Sequence, residues 1–151
     1  MDVNKEGVAL VQKYEGFSSK PYLCPAGKAT IGYGATFYVD GKAVTLKDKP
    51  ITQAEATQLL IALLHQFAAK LKPLIKVNLN DNQFSALVSF AYNVGIGNFQ
   101  SSTMLKLINA SKFDQAANEF LKWSKARVNG VLQPLPGLVK RRAAERSLFI
   151  K

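Results

Sequence analysis

The spacing of apolar side chains separates a helical start of the chain from a β-prone segment and a long helical remainder. In residues 3–15, Val8 and Val11 recur at helical spacing and Gly16 follows as a stop signal. This pattern predicts an amphipathic helix. Glu15 lies four residues after Val11, so its side chain is expected on the apolar stripe of that helix and not on its polar face.

Residues 17–47 lose this period because prolines and glycines interrupt short β-prone segments. Two of these segments, Thr30–Tyr33 and Thr36–Val39, are predicted to be strands. Val39-Asp40-Gly41-Lys42 has the composition of a hairpin turn. This part of the chain therefore predicts a small antiparallel sheet.

The chain after Pro50 returns to helical spacing. Thr52 and Glu55 form a capping-box signal for a helix that runs to about Leu71, where Pro73 ends it. A second capping signal precedes a segment that is apolar on nearly every side, which predicts a central buried helix. This buried helix is predicted over Phe84–Val94, with its cap at Asn80–Gln83 and its end at Gly95 and Gly97. The remaining predicted elements are helices Phe99–Asn109 and Phe113–Lys125, a loop Gly130–Gly137 and a basic helix Leu138–Phe149.

The order of these elements predicts an α+β fold that is mainly helical, with a small antiparallel sheet lobe. We expect one domain over residues 1–151, with the sheet lobe at about 15–50 and a helical lobe at about 52–151 plus the N-terminal helix. A length of 151 residues with 48% hydrophobic and 20% charged residues suits one globular domain with a real core. A cleft between two such lobes is a natural ligand site.

The charge of the chain indicates an anionic partner. The formal net charge is +10, and residues 122–151 hold eight basic residues against Glu145 alone, a net charge of +7. Nucleic acid, an anionic membrane surface and a cell wall all fit this charge, and a merely solvated surface remains the alternative. No DNA-recognition module is evident, so nucleic acid is not expected as a partner.

The N-terminus alternates charge and lacks the apolar stretch of a signal peptide. The longest apolar run, Leu59–Leu64, is far shorter than the ~20 residues of a membrane span. Cys24 is the single cysteine, so no internal disulfide is possible, which fits folding in a reducing compartment. We therefore expect a cytosolic protein that needs another agent to reach any target outside the cell.

Glu15 is the first candidate for chemistry. A carboxylate on an apolar stripe at a helix C-terminus is desolvated and faces the negative end of the helix dipole, and both effects favour its neutral form. A carboxylic acid that stays protonated near neutral pH suits glycoside cleavage, because the leaving sugar oxygen must receive a proton. The alternative is a surface glutamate paired with a lysine such as Lys13 or Lys20.

The segment Thr30-Ile31-Gly32-Tyr33-Gly34 is the second candidate. On a strand, Thr30, Gly32 and Gly34 share one face, and two glycines leave a bare backbone that a ligand can approach closely. Glycine in a short strand also marks simple bends.

Cysteine and histidine offer weaker candidates. Cys24 is either a small buried hydrophobe or, with the single histidine His65, part of a thiol hydrolase that lacks an evident third group. With one cysteine, one histidine and scattered carboxylates, no metal site and no cofactor are expected.

Three blocks of sequence resemble the phage-type lysozymes (endolysins), and they follow one another along the whole chain. The first is Glu15, eight residues, Cys24, five residues and Thr30, followed by Ile31-Gly32-Tyr33-Gly34; the family carries Asp or Cys at the second position. The other two blocks are Gln83–Gly95 with Phe99 and Ser102-Thr103, and Gly137–Glu145 with Leu148-Phe149.

The resemblance implies a lysozyme-like fold and a muramidase that hydrolyses the β-1,4 bond between N-acetylmuramic acid and N-acetylglucosamine in peptidoglycan. It implies that Glu15 is the general acid and that Cys24 and Thr30 position or activate the attacking water. Gly32, Tyr33 and Gly34 would border the sugar, and Asn93 would line the other wall. It also implies a monomeric phage lysis enzyme that waits in the host cytoplasm until a membrane lesion releases it.

Two further expectations concern the basic C-terminal region. One guanidinium of Arg141 or Arg142 is predicted to reach the cleft and pair with Glu15 or a nearby carbonyl, because arginine stays charged and binds bidentately. The region is also predicted to bind anionic membrane or envelope surfaces, with Trp123, Leu138, Leu148 and Phe149 as its apolar partners. The rival to the enzyme is a basic protein without chemistry that binds anionic membranes or nucleic acid.

Overall fold

The computed structural model describes all 151 residues as a mainly helical protein with two small sheets. The observed elements agree with the predicted α+β class. The helices are α1 (Lys5–Glu15), α2 (Gln53–Leu71), α3 (Asp81–Val94), α4 (Ile96–Gln100), α5 (Thr103–Asn109), α6 (Phe113–Glu119) and α7 (Pro136–Ile150). The strands are β1 (Ser18–Leu23), β2 (Ala29–Gly32), β3 (Lys125–Val128) and β4 (Val131–Pro134).

The predicted helix caps are present, because they depend only on neighbouring residues. The Thr52 side chain accepts a hydrogen bond from the N–H of Glu55, and the Glu55 carboxylate accepts one from the N–H of Thr52. Asn80 and Gln83 form the same reciprocal pair at the start of α3. Asn4 caps α1 by accepting from the N–H of Gly7 at 3.0 Å.

Helix α3 is the centre of the helical part, as predicted. Its residues Phe84–Ala91 are all buried, and α1, α2 and α7 pack around it. The Phe90 ring makes edge contacts with Phe99, Phe120 and Trp123. None of the helices combines the length and the apolar character needed to cross a membrane.

Two predicted helices are shorter than expected. The helix predicted over Phe99–Asn109 is interrupted at Ser102, whose hydroxyl donates to the carbonyl of Phe99 at 2.7 Å and accepts from the N–H of Leu105 at 3.1 Å. This serine therefore ends α4 and caps α5, since its side chain competes for backbone groups. The helix predicted over Phe113–Lys125 ends at Glu119 and continues as a 3₁₀ turn over Phe120–Lys122.

The first sheet is an antiparallel hairpin of β1 and β2, joined by a tight turn at residues 24–28. Strand β1 was not predicted because Pro21 lies inside it; the proline is accommodated where the register shifts between Ser18 and Tyr22. The strand predicted over Thr36–Val39 is wrong, since that segment makes only an isolated bridge between Phe37 and Ala43. The turn predicted after it is present.

The second sheet, β3 with β4, replaces the predicted loop and the predicted end of the preceding helix. Asn129 and Gly130 form its turn, both with positive φ, 51° and 79°. An Asn-Gly pair between Val128 and Val131 is the usual signal for a two-residue type I′ hairpin. The division into lobes at about residue 50 stays a proposal.

Candidate active site

Glu15 is the last residue of α1, and the turn after it directs the chain into the first sheet. Gly16 follows with a φ of 70°, and its N–H donates to the carbonyl of Gln12 at 3.0 Å. The Glu15 side chain is only 20% exposed, and its Oε2 atom lies 2.7 Å from Nη1 of Arg141. Glu15 is therefore a half-buried carboxylate with one strong partner, not a solvated surface group.

The backbone at Gly34 closes over the carboxyl group of Glu15. A Cβ atom at Gly34 would lie 2.5 Å from Oε1 of Glu15, and the φ of Gly34 is +77°. Both observations require glycine here. Gly34 belongs to the turn between Ile31 and Ala35, which exchange two backbone hydrogen bonds of 2.9 Å, and so it does not continue the face of strand β2.

Arg141 belongs to a buried charged cluster of Glu15, Arg141, Arg142 and Glu145. Arg141 donates through Nε to Glu145 at 3.3 Å and through Nη2 to the carbonyl of Ser89 at 3.2 Å. Glu145 is fully buried and also accepts from the hydroxyl of Ser89 at 2.6 Å and from Nη1 of Arg142. The prediction that Arg141 or Arg142 reaches Glu15 is confirmed, and Arg141 is the residue that does so.

Arg142 is buried on the far side of this cluster. Its Nε atom donates to the carbonyl of Trp123 at 3.0 Å, its Nη2 atom donates to Oδ1 of Asn93, and its guanidinium lies over the Phe90 ring. Burial lowers the pKa of Arg142, and the carboxylate of Glu145 opposes that shift. Arg142 thus ties α3 and the start of the second hairpin to the cluster that holds Glu15.

Cys24 and Thr30 lie at the turn end of the first hairpin. The N–H of Cys24 donates to the carbonyl of Lys28 at 2.9 Å, and the hydroxyl of Thr30 donates to the same carbonyl at 3.0 Å. The thiol is partly exposed, whereas Thr30 is buried. Hydrogen bonding from the Lys28 N–H, aided by the Ala26 and Thr30 groups, lowers the pKa of Cys24 below its ordinary value.

Tyr22 is a residue of this site that the sequence analysis missed. It pairs directly with Thr30 across the β1–β2 hairpin, so the two side chains share a face. Burial raises the pKa of Tyr22, and the negative charges of Glu15 and Cys24 add to the shift. Tyr22 thus lies near both groups. The signal was its position two residues before Cys24, which places both on one side of an extended chain.

Gly32 and Tyr33, two other residues predicted to border the sugar, are both covered by neighbouring side chains. A Cβ atom at Gly32 would meet Ala56 at 3.2 Å and Ile51 at 3.4 Å, so the expected open floor is absent there and this glycine allows α2 to pack on the sheet. Tyr33 is buried; its hydroxyl accepts from Gln53 at 3.1 Å and its carbonyl accepts from the Tyr92 hydroxyl at 2.9 Å.

Asn93 is exposed at the end of α3, with its Oδ1 atom turned to Arg142. The structure therefore places Gly34 directly against Glu15, whereas Cys24 and Thr30 are linked to Glu15 through Tyr22, which is influenced by the charges of both Glu15 and Cys24. Tyr33 and Asn93 adjoin this region through Tyr92 and Arg142, respectively.

A groove of about 390 Å³ begins beside Gly34. Aromatic rings of Phe37, Phe67 and Tyr92 line it together with Lys70. The Phe67 and Tyr92 rings are 5.3 Å apart in an edge contact. Burial and the charge of Glu15 raise the pKa of Tyr92, so its hydroxyl stays a hydrogen-bond donor. Aromatic walls with a few polar groups suit a sugar chain.

His65 does not belong to this region. It lines a separate cavity with Val3, Val8 and Leu64, and Cys24 is not part of that cavity. The structure therefore does not support the Cys24–His65 thiol hydrolase. No group of three or more histidine, cysteine, aspartate or glutamate side chains is close enough to hold a metal ion.

The chain is similar to known proteins in both sequence and fold. The sequence model of the phage lysozyme family matches residues 12–145. The endolysin of Acyrthosiphon pisum secondary endosymbiont phage 1 is 43% identical, over 99% of this chain and 98% of that protein. Among solved structures, the endolysin of Escherichia coli O157:H7 phage FAHEc1 is similar with a TM-score of 0.88 and 35% identity, covering 99% of this chain and 94% of that one. The muramidase domain of SpmX from Asticaccaulis excentricus is similar with a TM-score of 0.87 and 33% identity, covering 99% and 98%.

Proposed function

Because the chain belongs to the phage lysozyme family, we propose that it cleaves the β-1,4 bond between N-acetylmuramic acid and N-acetylglucosamine, with Glu15 as the general acid. The protein is an endolysin and a glycoside hydrolase of the lysozyme type. The single observation that carries the proposal is the half-buried Glu15 carboxyl, held between Arg141 and Gly34, the glycine that also lines an aromatic groove.

Glu15 has the surroundings that a proton donor needs. Its Oε2 atom is held by Arg141, which fixes the carboxyl group in one orientation. Oε1 lies against Gly34, which also lines the aromatic groove, so a glycosidic oxygen bound beside Gly34 would be close to it. Because Arg141 also forms an ion pair with Glu145, its positive charge is shared between two carboxylates. The protonated form of Glu15 gives its proton to the departing sugar oxygen.

Cys24 and Thr30 position the attacking water on the opposite side of the sugar. The lowered pKa of Cys24 raises its thiolate fraction near neutral pH above that of an ordinary thiol, and a thiolate accepts a hydrogen bond from water. The Thr30 hydroxyl supports the same water or the thiolate. Tyr22 lies across the hairpin from Thr30 and supplies a further hydroxyl at this place.

The sugar chain lies along the groove. Phe37, Phe67 and Tyr92 offer ring faces to the pyranose rings, and the backbone of Gly34 lets the reacting sugar approach Glu15. Gly32 and Tyr33 contribute to the sugar site by fixing the turn that carries Gly34, and Gly34 is the residue that meets the sugar. Asn93 reaches the substrate with its amide Nδ2 atom, since its Oδ1 atom is bound to Arg142.

The proposed biological setting follows from the endolysin activity. The enzyme, acting as a monomer, waits in the host cytoplasm until a membrane lesion admits it to peptidoglycan. The basic C-terminal region then contacts anionic envelope surfaces. The surface charge available for this contact is smaller than the sequence suggests, because Arg141 and Arg142 are buried and paired with Glu15 and Glu145.

The cleaved bond is tested by chemical identification of the new sugar ends. Purified walls are digested, reduced with borohydride and analysed by mass spectrometry. A muramidase yields reduced N-acetylmuramic acid ends. Reduced N-acetylglucosamine ends, or 1,6-anhydro ends, would assign a different bond or reaction. Walls left intact by the folded protein would favour a pure binding protein over the enzyme.

A further inference from the structure

The β3–β4 hairpin is exposed on both faces. Seven of its eight strand residues are exposed, and Ala126 is partly buried. Val131 is 57% exposed and Leu132 is 56% exposed, and Val128 lies beside them across the turn. A two-stranded hairpin without a packed face is marginally stable by itself in water. Large aliphatic side chains at its tip therefore indicate a surface that meets something apolar.

The base of the hairpin is fixed to the body of the protein although its tip is not. The N–H of Leu135 donates to the carbonyl of Ser124 at 3.0 Å, which closes the base. The carbonyl of Trp123, directly before it, is held by buried Arg142. The hairpin is thus a projection with an anchored root and an aliphatic end.

The hairpin also lies in a basic stretch of the chain. No acidic residue occurs between Glu119 and Glu145. The exposed cations of this stretch are Lys122, Lys125, Arg127 and Lys140. In the strand register, Arg127 pairs with Leu132 and Lys125 pairs with Pro134, so two cations of β3 face two apolar residues of β4 on one face of the hairpin. Val128 and Val131 pair on the other face.

The apolar partners are not those that the sequence suggested. Leu148 and Phe149 are buried in the core and face the protein interior. Trp123 packs on the Phe90 ring and Leu138 is partly buried. The exposed apolar residues are instead Val131 and Leu132 at the tip of the second hairpin. They lie in a segment that the sequence predicted to be a loop.

We propose that this hairpin docks on an anionic phospholipid surface, with Val131 and Leu132 entering the headgroup region and Lys125 and Arg127 pairing with lipid phosphates. Aliphatic side chains flanked by cations suit a lipid interface. A glycan would favour aromatic platforms, and the aromatic rings lie in the groove instead. The inference rests on the proposed envelope contact and assigns it to one element and one class of ligand.

Vesicle sedimentation tests the assignment. Wild-type protein should sediment with phosphatidylglycerol–phosphatidylethanolamine vesicles at low salt and not with phosphatidylcholine vesicles. Leu132→Asp should abolish sedimentation, and Arg127→Ala should weaken it about fivefold. Leu46→Asp is the matched control, because Leu46 is 53% exposed in the first lobe and should bind as wild type does. Thermal melts establish that each variant is folded.

The outcomes separate the two proposals. If wild type and Leu132→Asp sediment equally and salt releases both, the envelope contact holds and the hairpin assignment is overturned. If wild type does not sediment with anionic vesicles, both fail. All variants should digest purified, lipid-free walls at the wild-type rate; loss of digestion by Leu132→Asp would assign the hairpin to the glycan and overturn the lipid proposal.

Discussion

Arg141 in α7 holds the Glu15 carboxyl at 2.7 Å, although 126 residues separate the two in the chain. The same guanidinium contacts Glu145, whose other oxygen is held by Arg142. Two carboxylates and two guanidiniums therefore balance one another in a buried cluster. This balance fixes Glu15 without leaving an isolated charge beside it, which would be costly to bury.

Glu15→Gln should reduce wall digestion by about 10²–10⁴-fold, because it keeps the shape of the side chain and removes the proton donor. The matched control is Glu6→Gln, which makes the same change at an exposed position of the same helix and should leave the rate unchanged. Turbidity loss of purified walls measures both. A near wild-type rate for folded Glu15→Gln would exclude Glu15 as the general acid.

Gly34→Ala should strongly reduce the rate, because the new Cβ atom would lie 2.5 Å from Oε1 of Glu15 and must displace the carboxyl group. Gly130→Ala is the control for backbone strain. Gly130 also has a positive φ, 79°, but nothing lies within 4 Å of its Cβ position. Both variants should lose some stability, and only Gly34→Ala should lose activity out of proportion. Equal residual activities of the two variants would contradict this.

Glu145→Gln should lower the free energy of unfolding by about 3–5 kcal/mol, because it leaves two buried guanidiniums with one carboxylate fewer. Urea denaturation measures the loss. Asp40→Asn removes a pair in which both side chains are exposed, with Lys42 at 4.0 Å, and should cost under about 1 kcal/mol. Similar losses in the two variants would mean that the cluster contributes no more than a surface pair.

The Cys24 thiol should react with iodoacetamide at lower pH than an ordinary thiol. Hydrogen bonds to the sulfur lower its pKa in the folded protein, so the reactive thiolate forms earlier as the pH rises. The urea-unfolded protein is the control and should show a higher midpoint. Thr30→Val removes one donor and should move the folded midpoint part of the way back. Coincident midpoints of folded and unfolded protein would contradict the cause given.

Substitutions at Cys24 should separate water positioning from a packing role. Cys24→Ala and Cys24→Ser should reduce the rate strongly, and Cys24→Asp should restore much of it, because a carboxylate also accepts a proton from water. The released sugar should have the inverted α configuration, read by NMR soon after cleavage. Full activity after complete alkylation of Cys24 would remove it from the reaction, and a β product would favour a covalent intermediate.

The sequence predicted what depends on near neighbours. Caps at Thr52 and Asn80, the burial of α3 and the partial burial of Glu15 follow from local pattern, and the structure contains all of them. The Glu15 carboxyl group itself meets the guanidinium of Arg141. The second hairpin was missed even though Asn129-Gly130 signals it, because the basic and apolar residues before it were assigned to a helix.

Other features could not be derived locally. The packing of Gly32 on Ala56 depends on where α2 crosses the sheet, and the bare strand face expected there is covered. The sequence predicted that one of the two arginines pairs with Glu15. Which of them does so, Arg141 or Arg142, depends on how α7 is rotated against α3. The place of Tyr22 depends on the register of β1 against β2. That strand was not predicted because Pro21 lies inside it.

The place of α7 in the chain matters for how the enzyme is made. Arg141, Arg142 and Glu145 leave the ribosome after every other helix of this domain, so the cluster around Glu15 has one of its four charged members until then. Helix α3 also lacks the wall that α7 provides. A nascent chain therefore carries an exposed apolar helix and no assembled site. A chain that ends before α7 therefore lacks the groups that hold Glu15 and is expected to be inactive.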